Sequence, residues 1–205
     1  MATLNFIRGT IRGKIGQFVG SSWRGKGYIK TFTKPGNPRT ADQRAVRAVF
    51  YNVSHFAKAI YNDVLKKYTF PKPRKQTAYN RMIQLNKALF ESKEWEPAGL
   101  KIFEGPLENP GITTSVLNAG TVKVSFNPEA GNGQDRAIAF VYNSATGAVV
   151  FKTETRAAGF LDVSIAAMEN PQSEDLHSYL VFVREPDPEA DDIGACSETA
   201  YKKIA

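Results

Sequence analysis

The sequence predicts an α+β protein in which glycine-rich β-hairpins precede two helices and an all-β C-terminal part. Residues 4–34 alternate short apolar runs with glycines, and residues 41–68 place apolar side chains at steps of three and four. From Leu100 onward the apolar period changes to two, with turn residues between the runs. We therefore expect three segments: 1–36 as a basic hairpin segment, 37–97 as a two-helix segment and 98–205 as a β-sandwich.

The first segment predicts short strands joined by tight turns. Residues 21–30 resemble two strands joined at Arg24 to Gly27, where glycine supplies the positive φ that such a turn needs. A sheet this small needs a helix or another subunit to cover it.

Two helices are predicted next. Thr40 and Gln43 have the spacing of a capping box, so the first helix should begin at about residue 41. Its apolar positions continue for about seven turns, until Pro71 and Pro73 end it. Helical spacing returns from about Gln76 to Lys93, which predicts a second helix packed on the first.

The C-terminal part reads as about seven strands. With Leu100 to Leu107 as the first, the others are predicted at residues 121–126, 137–142, 148–152, 160–165, 179–183 and 199–204. Turn clusters separate them at the spacing of a sandwich, which favours an immunoglobulin or fibronectin type III-like fold.

Charge is distributed unevenly around a net value of +7. Residues 1–97 hold 19 Lys/Arg against 5 Asp/Glu, a net of +14, whereas residues 98–205 hold 8 against 15, a net of −7. Such asymmetry indicates either a polyanion partner or copies that stack head to tail.

No targeting or membrane segment is expected. The N-terminus lacks the apolar core of a signal peptide, and no run of apolar residues is long enough to span a membrane. Cys196 is the one cysteine, so no intramolecular disulfide can form. A reducing, cytoplasmic location is therefore the default expectation.

Catalytic, cofactor and metal signatures are absent from the sequence. His55, His177 and Cys196 do not have zinc-ligand spacing, and the glycines near the N-terminus lack the order of a phosphate-binding loop. No G-x-S-x-G motif is present, and the acidic loop 185–192 does not match a calcium loop. We expect no cofactor, no metal and no enzymatic activity. An enzyme acting through the sandwich loops would need a concave pocket with convergent polar groups.

Basic and aromatic residues alternate in the first segment and are the candidate contact residues. The expected partner-binding set is Arg12, Lys14, Trp23, Arg24, Lys26, Tyr28 and Lys30. The acidic loop 185–192 is a candidate reciprocal surface on another copy. The same residue types neutralise phosphates and stack on bases, so nucleic acid is the alternative partner.

Three motifs carry a family resemblance. They are Gly13-Lys14-Ile15-Gly16, then Ser21-Ser22-Trp23-Arg24-Gly25, then Asn37-Pro38-Arg39-Thr40-Ala41-Asp42-Gln43. The chain resembles an uncharacterised protein family of Bacteroidota and their phages, closely over residues 9–90. That family has G-K-x-G, S-x-W-[KR]-G and N-P-R-T-x-x-Q motifs before a β-rich C-terminal part.

The resemblance implies a phage or prophage context but no activity. Small sandwich domains there serve as decoration or tail-associated modules. We therefore expect a structural or assembly protein, capsid- or tail-associated, whose partners are other copies of itself and other virion proteins. Its expected location is then the virion or the host cytoplasm.

Overall fold

The structure is a computed structural model that describes residues 3–5, 10–23, 26–34, 36–37, 39–69, 76–169, 171–186 and 194–204. The chain divides into two compact units, Met1–Arg39 and Thr40–Ala205. It is a mixed α+β protein whose named strand pairs are all antiparallel. Across the described ranges, no helix has the length and apolar character required to cross a membrane.

The N-terminal unit is a four-stranded meander, as the hairpin pattern predicts. Its strands pair in chain order and are β1 (Thr3–Asn5), β2 (Thr10–Ile15), β3 (Phe18–Trp23) and β4 (Lys26–Thr31). Gly16 begins the two-residue turn between β2 and β3 with a φ of 57°. That left-handed conformation favours glycine, which explains why the turn falls there.

The first helix begins where its cap predicts. Helix α1 (Ala41–Ala59) follows Thr40, whose side chain accepts a hydrogen bond from the Gln43 amide at 3.3 Å. The helix then widens into a π-helical turn, Tyr61–Leu65, before the short α2 (Lys66–Tyr68). The predicted prolines that end it lie in residues 70–75, outside the described residues.

The second predicted helix is divided in two. Helices α3 (Ala78–Leu85) and α4 (Lys87–Ser92) meet at Asn86, and the Thr77 side chain caps α3. Asn86 is buried and bonds both ways to the backbone of Lys101, accepting from its amide and donating to its carbonyl. The Asn86 side chain therefore holds in place the backbone segment that follows the helices.

Two sheets form the β part. One has the order β5 (Thr114–Asn118), β6 (Thr121–Ser125) and β9 (Phe160–Ser164). The other has β7 (Arg136–Asn143) between β8 (Val149–Thr155) and β10 (Leu176–Arg184). The short strands β11 (Ala195–Cys196) and β12 (Ala200–Lys203) both pair with β10.

The five-stranded sheet is buried on both faces. Alternate residues of β7 and β10 pack against the three-stranded sheet, in a core that includes Val124, Leu161 and Phe182. Their other residues pack against the helices, where the fully buried Phe56 contacts the rings of Phe140 and Tyr179. The segments before and after Pro97 therefore share a core.

The predicted first strand, Leu100 to Leu107, is wrong. Residues 100–107 form no strand, and the one ladder-type contact among them is an isolated bridge between Leu107 and Ser197. The amides of Ile102 and Phe103 donate to the Thr199 hydroxyl rather than to a neighbouring strand. The three-stranded sheet instead begins with β5, a strand that the sequence interpretation omitted, whereas the other six predicted strands are present.

Candidate functional site: the N-terminal sheet

The register of the N-terminal sheet sorts its residues onto two faces. In antiparallel strands, residues directly opposite one another share a face. Lys14, Val19 and Lys30 are opposite one another across β2, β3 and β4. Tyr28, opposite Ser21, belongs to the same side, which we call the basic face.

The basic face gathers three of the predicted contact residues, Lys14, Tyr28 and Lys30. Trp23 and Lys26 are opposite each other, and the register places both positions on this face as well. The Lys14 ammonium lies 3.9 Å from the centroid of the Phe32 ring, a cation–π distance. Arg24 lies outside the described residues.

Arg12 does not join the basic face. Its guanidinium donates to the Ser22 hydroxyl at 3.4 Å, and Ser22 lies opposite Gly27 on the other side of the sheet. Gly13, between Arg12 and Lys14, has a φ of 102°, which interrupts the regular alternation of a strand. The structure therefore separates Arg12 from the rest of the predicted set.

The opposite side of the sheet, which we call the apolar face, was not predicted from the sequence. Ile15 and Phe18 are opposite each other, and the next row runs from Gly13 through Gly20 to Ile29. The three large side chains are 44%, 55% and 57% exposed in chain order. Together with Gly20 they line an apolar depression of about 340 Å³.

A signal for this face was present in the sequence. Lys14 precedes Ile15 and Ile29 precedes Lys30, and neighbours in a strand point to opposite faces. Alternation alone does not show whether the apolar side is covered or exposed. The register was needed to show that they form one surface.

All the excess positive charge lies in the N-terminal unit. Residues 1–39 contain eight Lys/Arg and no Asp or Glu, whereas residues 40–205 contain 19 Lys/Arg and 20 Asp/Glu. The cations of this unit therefore cannot form ion pairs within it. The boundary between the two units therefore locates the excess positive charge more narrowly than the division near Pro97.

The proposed reciprocal surface is described only at its start. Glu185 accepts from the Arg136 guanidinium at 2.6 Å, in an ion pair whose side chains are about half exposed. Residues 187–193 lie outside the described residues. The role of the acidic loop 185–192 stays a prediction.

A second concavity lies between α1 and the turn that joins β7 to β8. Its volume is about 230 Å³, and it is lined by Tyr51, Asn52, His55, Tyr142, Ser144, Ala145, Thr146 and Gly147. His55 stacks on Tyr51 with centroids 5.7 Å apart, and the Ser144 hydroxyl donates to the Asp175 carbonyl. No carboxylate or thiol is among these lining residues, so a base with its orienting acid is not assembled there.

His177 and Cys196 are buried within the β part. His177 lies beside Tyr201, with its Nδ1 3.0 Å from the tyrosine hydroxyl, and burial lowers the pKa of His177. Cys196 is buried and contacts the carbonyl of Glu104. Among the residues the structure describes, no three His, Cys, Asp or Glu side chains converge on a metal site.

The fold and this surface define an α+β protein with a basic, two-faced N-terminal sheet. The chain belongs to DUF6266, a family of unknown function, which it matches over residues 10–192. No curated protein and no solved structure matches the chain. The family match confirms the expected membership of an uncharacterised family, while the bacterial and phage origin stays a prediction.

Proposed function

We propose that this protein is a non-enzymatic assembly protein that contacts other protein subunits through the apolar face of its N-terminal sheet. The observation that carries this proposal is the exposure of Ile15, Phe18 and Ile29 around one apolar depression. Fully burying one such side chain stabilises a structure by about 1.5–3 kcal/mol. Because these three side chains are already about half buried, a subunit that covers this face would gain about half of that stabilisation at each of them.

The size of the sheet supports the same conclusion. Four short strands need a cover on one face to be stable. Between Arg12 and Arg39, Gly20 is the one described residue that is buried, and glycine has no side chain to contribute to a core. A partner surface would supply the missing core.

The β part supports a display role. Its sheet orders are β5-β6-β9 and β8-β7-β10 with β11 and β12. These orders support an immunoglobulin-type sandwich in which β8, the fourth strand of the β part, has joined the second sheet. We propose this finer assignment on strand order alone. With the family resemblance, it favours a capsid- or tail-associated virion component that presents the sandwich outward.

Nucleic acid is a second candidate partner, favoured by the eight cations and no acid in residues 1–39. Lys14 and Lys30 flank Val19 on the basic face, with Tyr28 and Phe32 nearby. Binding to single-stranded DNA that weakens steeply with salt, and is lost in Lys14→Ala/Lys30→Ala, would support this candidate. An absence of binding at low salt would remove it.

The assembly proposal is tested in extracts of the cells that produce the protein. We expect wild-type chain to elute in a complex well above its own mass of 22.6 kDa. The variant Phe18→Ser/Ile29→Ser should elute at the monomer mass, whereas Tyr28→Ser, on the basic face, should remain in the complex. Wild type at the monomer mass, or a complex unaffected by the double substitution, would refute the proposal.

A further inference from the structure

We infer that the partner on the apolar face is a second copy of this chain, packed face to face about a two-fold axis. The inference rests on the proposed function and adds the identity of the partner. A two-fold interface uses the same patch on both copies, so that patch must contain both protruding and recessed parts.

The apolar face has both shapes. Gly13 and Gly20 lie opposite each other and have no side chain. Gly20 is therefore the floor of the recess that Ile15, Phe18 and Ile29 surround. Phe18 and Ile29 protrude and are more than half exposed. In a two-fold packing, Phe18 of each copy can enter the glycine recess of the other.

Face-to-face packing keeps the lysines of the basic face in solvent. Sheets packed in this way are about 10 Å apart, and Lys14 and Lys30 would then lie on the outer surfaces. Arg12, which bonds to Ser22 on the apolar side, is the described cation nearest the contact, and salt screens the repulsion between its two copies.

The area of the face sets the strength of the contact. Four strands about 4.8 Å apart, each of about six residues rising about 3.3 Å, cover roughly 400 Å². Two such faces bury about 800 Å², below the range of about 1,200–2,000 Å² that is typical of stable complexes. The dimer should therefore be reversible and depend on concentration.

Sedimentation equilibrium of the full chain, from micromolar to millimolar concentration, tests this inference. Wild type should pass from monomer to dimer, and Phe18→Ser should weaken association by about tenfold or more. Tyr28→Ser is the matched control, because Tyr28 is as exposed as Ile15 but lies on the basic face. Its dimerisation should equal that of wild type.

Gly20→Val separates shape complementarity from general hydrophobicity. Valine is a good strand former and adds apolar area, yet it fills the recess. Two-fold packing predicts weaker association for this variant, whereas non-specific apolar contact predicts association as strong or stronger. Association that is unchanged or stronger would overturn the proposed packing.

Two further measurements, the salt dependence of association and the elution of the protein from cell extract, distinguish the remaining outcomes. Face-to-face packing should be as strong or stronger at high salt, because salt screens repulsion among the cations. Association that weakens with salt would instead indicate head-to-tail contact between basic and acidic surfaces, and would overturn the inference. Wild type that is monomeric at all concentrations would also overturn it, while a large complex in cell extract would leave the assembly proposal intact with a different partner.

Discussion

Asp135→Asn removes the charge of a carboxylate that two arginines share inside the β part. Arg184 donates to both oxygens of Asp135, at 2.8 and 3.2 Å, and the Arg156 guanidinium lies 3.7 Å from one of them. Asp135 is 2% exposed and the Arg156 side chain is fully buried. The guanidinium of Arg156 also lies 4.0 Å over the Phe182 ring and donates to the Glu108 carbonyl.

The substitution leaves the charge of Arg156 in the core without its counter-ion. Its Nε and Nη2 have no hydrogen-bond partner among the described residues, so little remains to compensate the charge. Removing one partner of a buried ion pair costs about 3–5 kcal/mol. With a urea dependence of about 2 kcal/mol/M, the unfolding midpoint should fall by about 1.5–2.5 M.

Urea unfolding of matched variants tests the reasoning. Arg156→Met should cost under about 1.5 kcal/mol, because Asp135 keeps both bonds from Arg184 and methionine fills the space. The double variant Asp135→Asn/Arg156→Met should be more stable than Asp135→Asn alone. The exposed pair of Arg136 and Glu185 gives the control, since Glu185→Gln should cost no more than about 1 kcal/mol. An Arg156→Met variant as unstable as Asp135→Asn would refute this account.

Three further outcomes are expected in urea unfolding. Burial holds the pKa of His177 below its ordinary 6.5, so the unfolded chain binds more protons at acid pH and stability falls below about pH 6.5. His177→Asn keeps a hydrogen-bonding group near the Tyr201 hydroxyl and should reduce this loss; equal pH dependence in both proteins would contradict it. Asn86→Ala removes both hydrogen bonds between the buried Asn86 side chain and the backbone of Lys101 and should cost about 1–3 kcal/mol, and a near-neutral result would exclude that role. Phe56→Ala should cost about 3–5 kcal/mol, whereas under about 1 kcal/mol would show that the helices do not share the sheet core.

Local signals in the sequence predicted the elements whose causes are themselves local. The Thr40 and Thr77 caps, the apolar spacing of α1 and the turn at Gly16 all depend on a few adjacent residues. The π-helical turn was not predictable in this way, because it buries the adjacent Val64 and Leu65 against a core built from distant strands. The segment from Leu100 to Leu107 was wrongly predicted for the same reason, since the amides of Ile102 and Phe103 bond to the distant Thr199.

The candidate site was half predictable. Basic and aromatic residues of the first segment predicted a contact surface, and the register places Lys14, Tyr28 and Lys30 on one face. The conformation at Gly13, which redirects Arg12, has no signature that distinguishes it from other glycines in the sequence. The apolar face required knowledge of which rows lie opposite each other.

Buried Arg156 shows most clearly which features could not be predicted from the sequence. In the sequence it is one arginine before two alanines, with nothing to mark it as internal. Gly131 allows its position, because a Cβ there would lie 2.6 Å from Nη1. Such a contact joins positions 25 residues apart and becomes visible only in the folded chain.

Thiol labelling measures directly whether the apolar face is covered when the protein assembles. Thr31→Cys lies in the row of Phe18 on the apolar face, and Lys30→Cys, one residue earlier, lies on the basic face. Cys196 is buried and should react slowly in both. The account predicts that the rate of maleimide labelling at position 31 falls as protein concentration rises, while the rate at position 30 stays constant. Equal rates at the two positions, unchanged by concentration, would contradict the claim that a second copy covers this face.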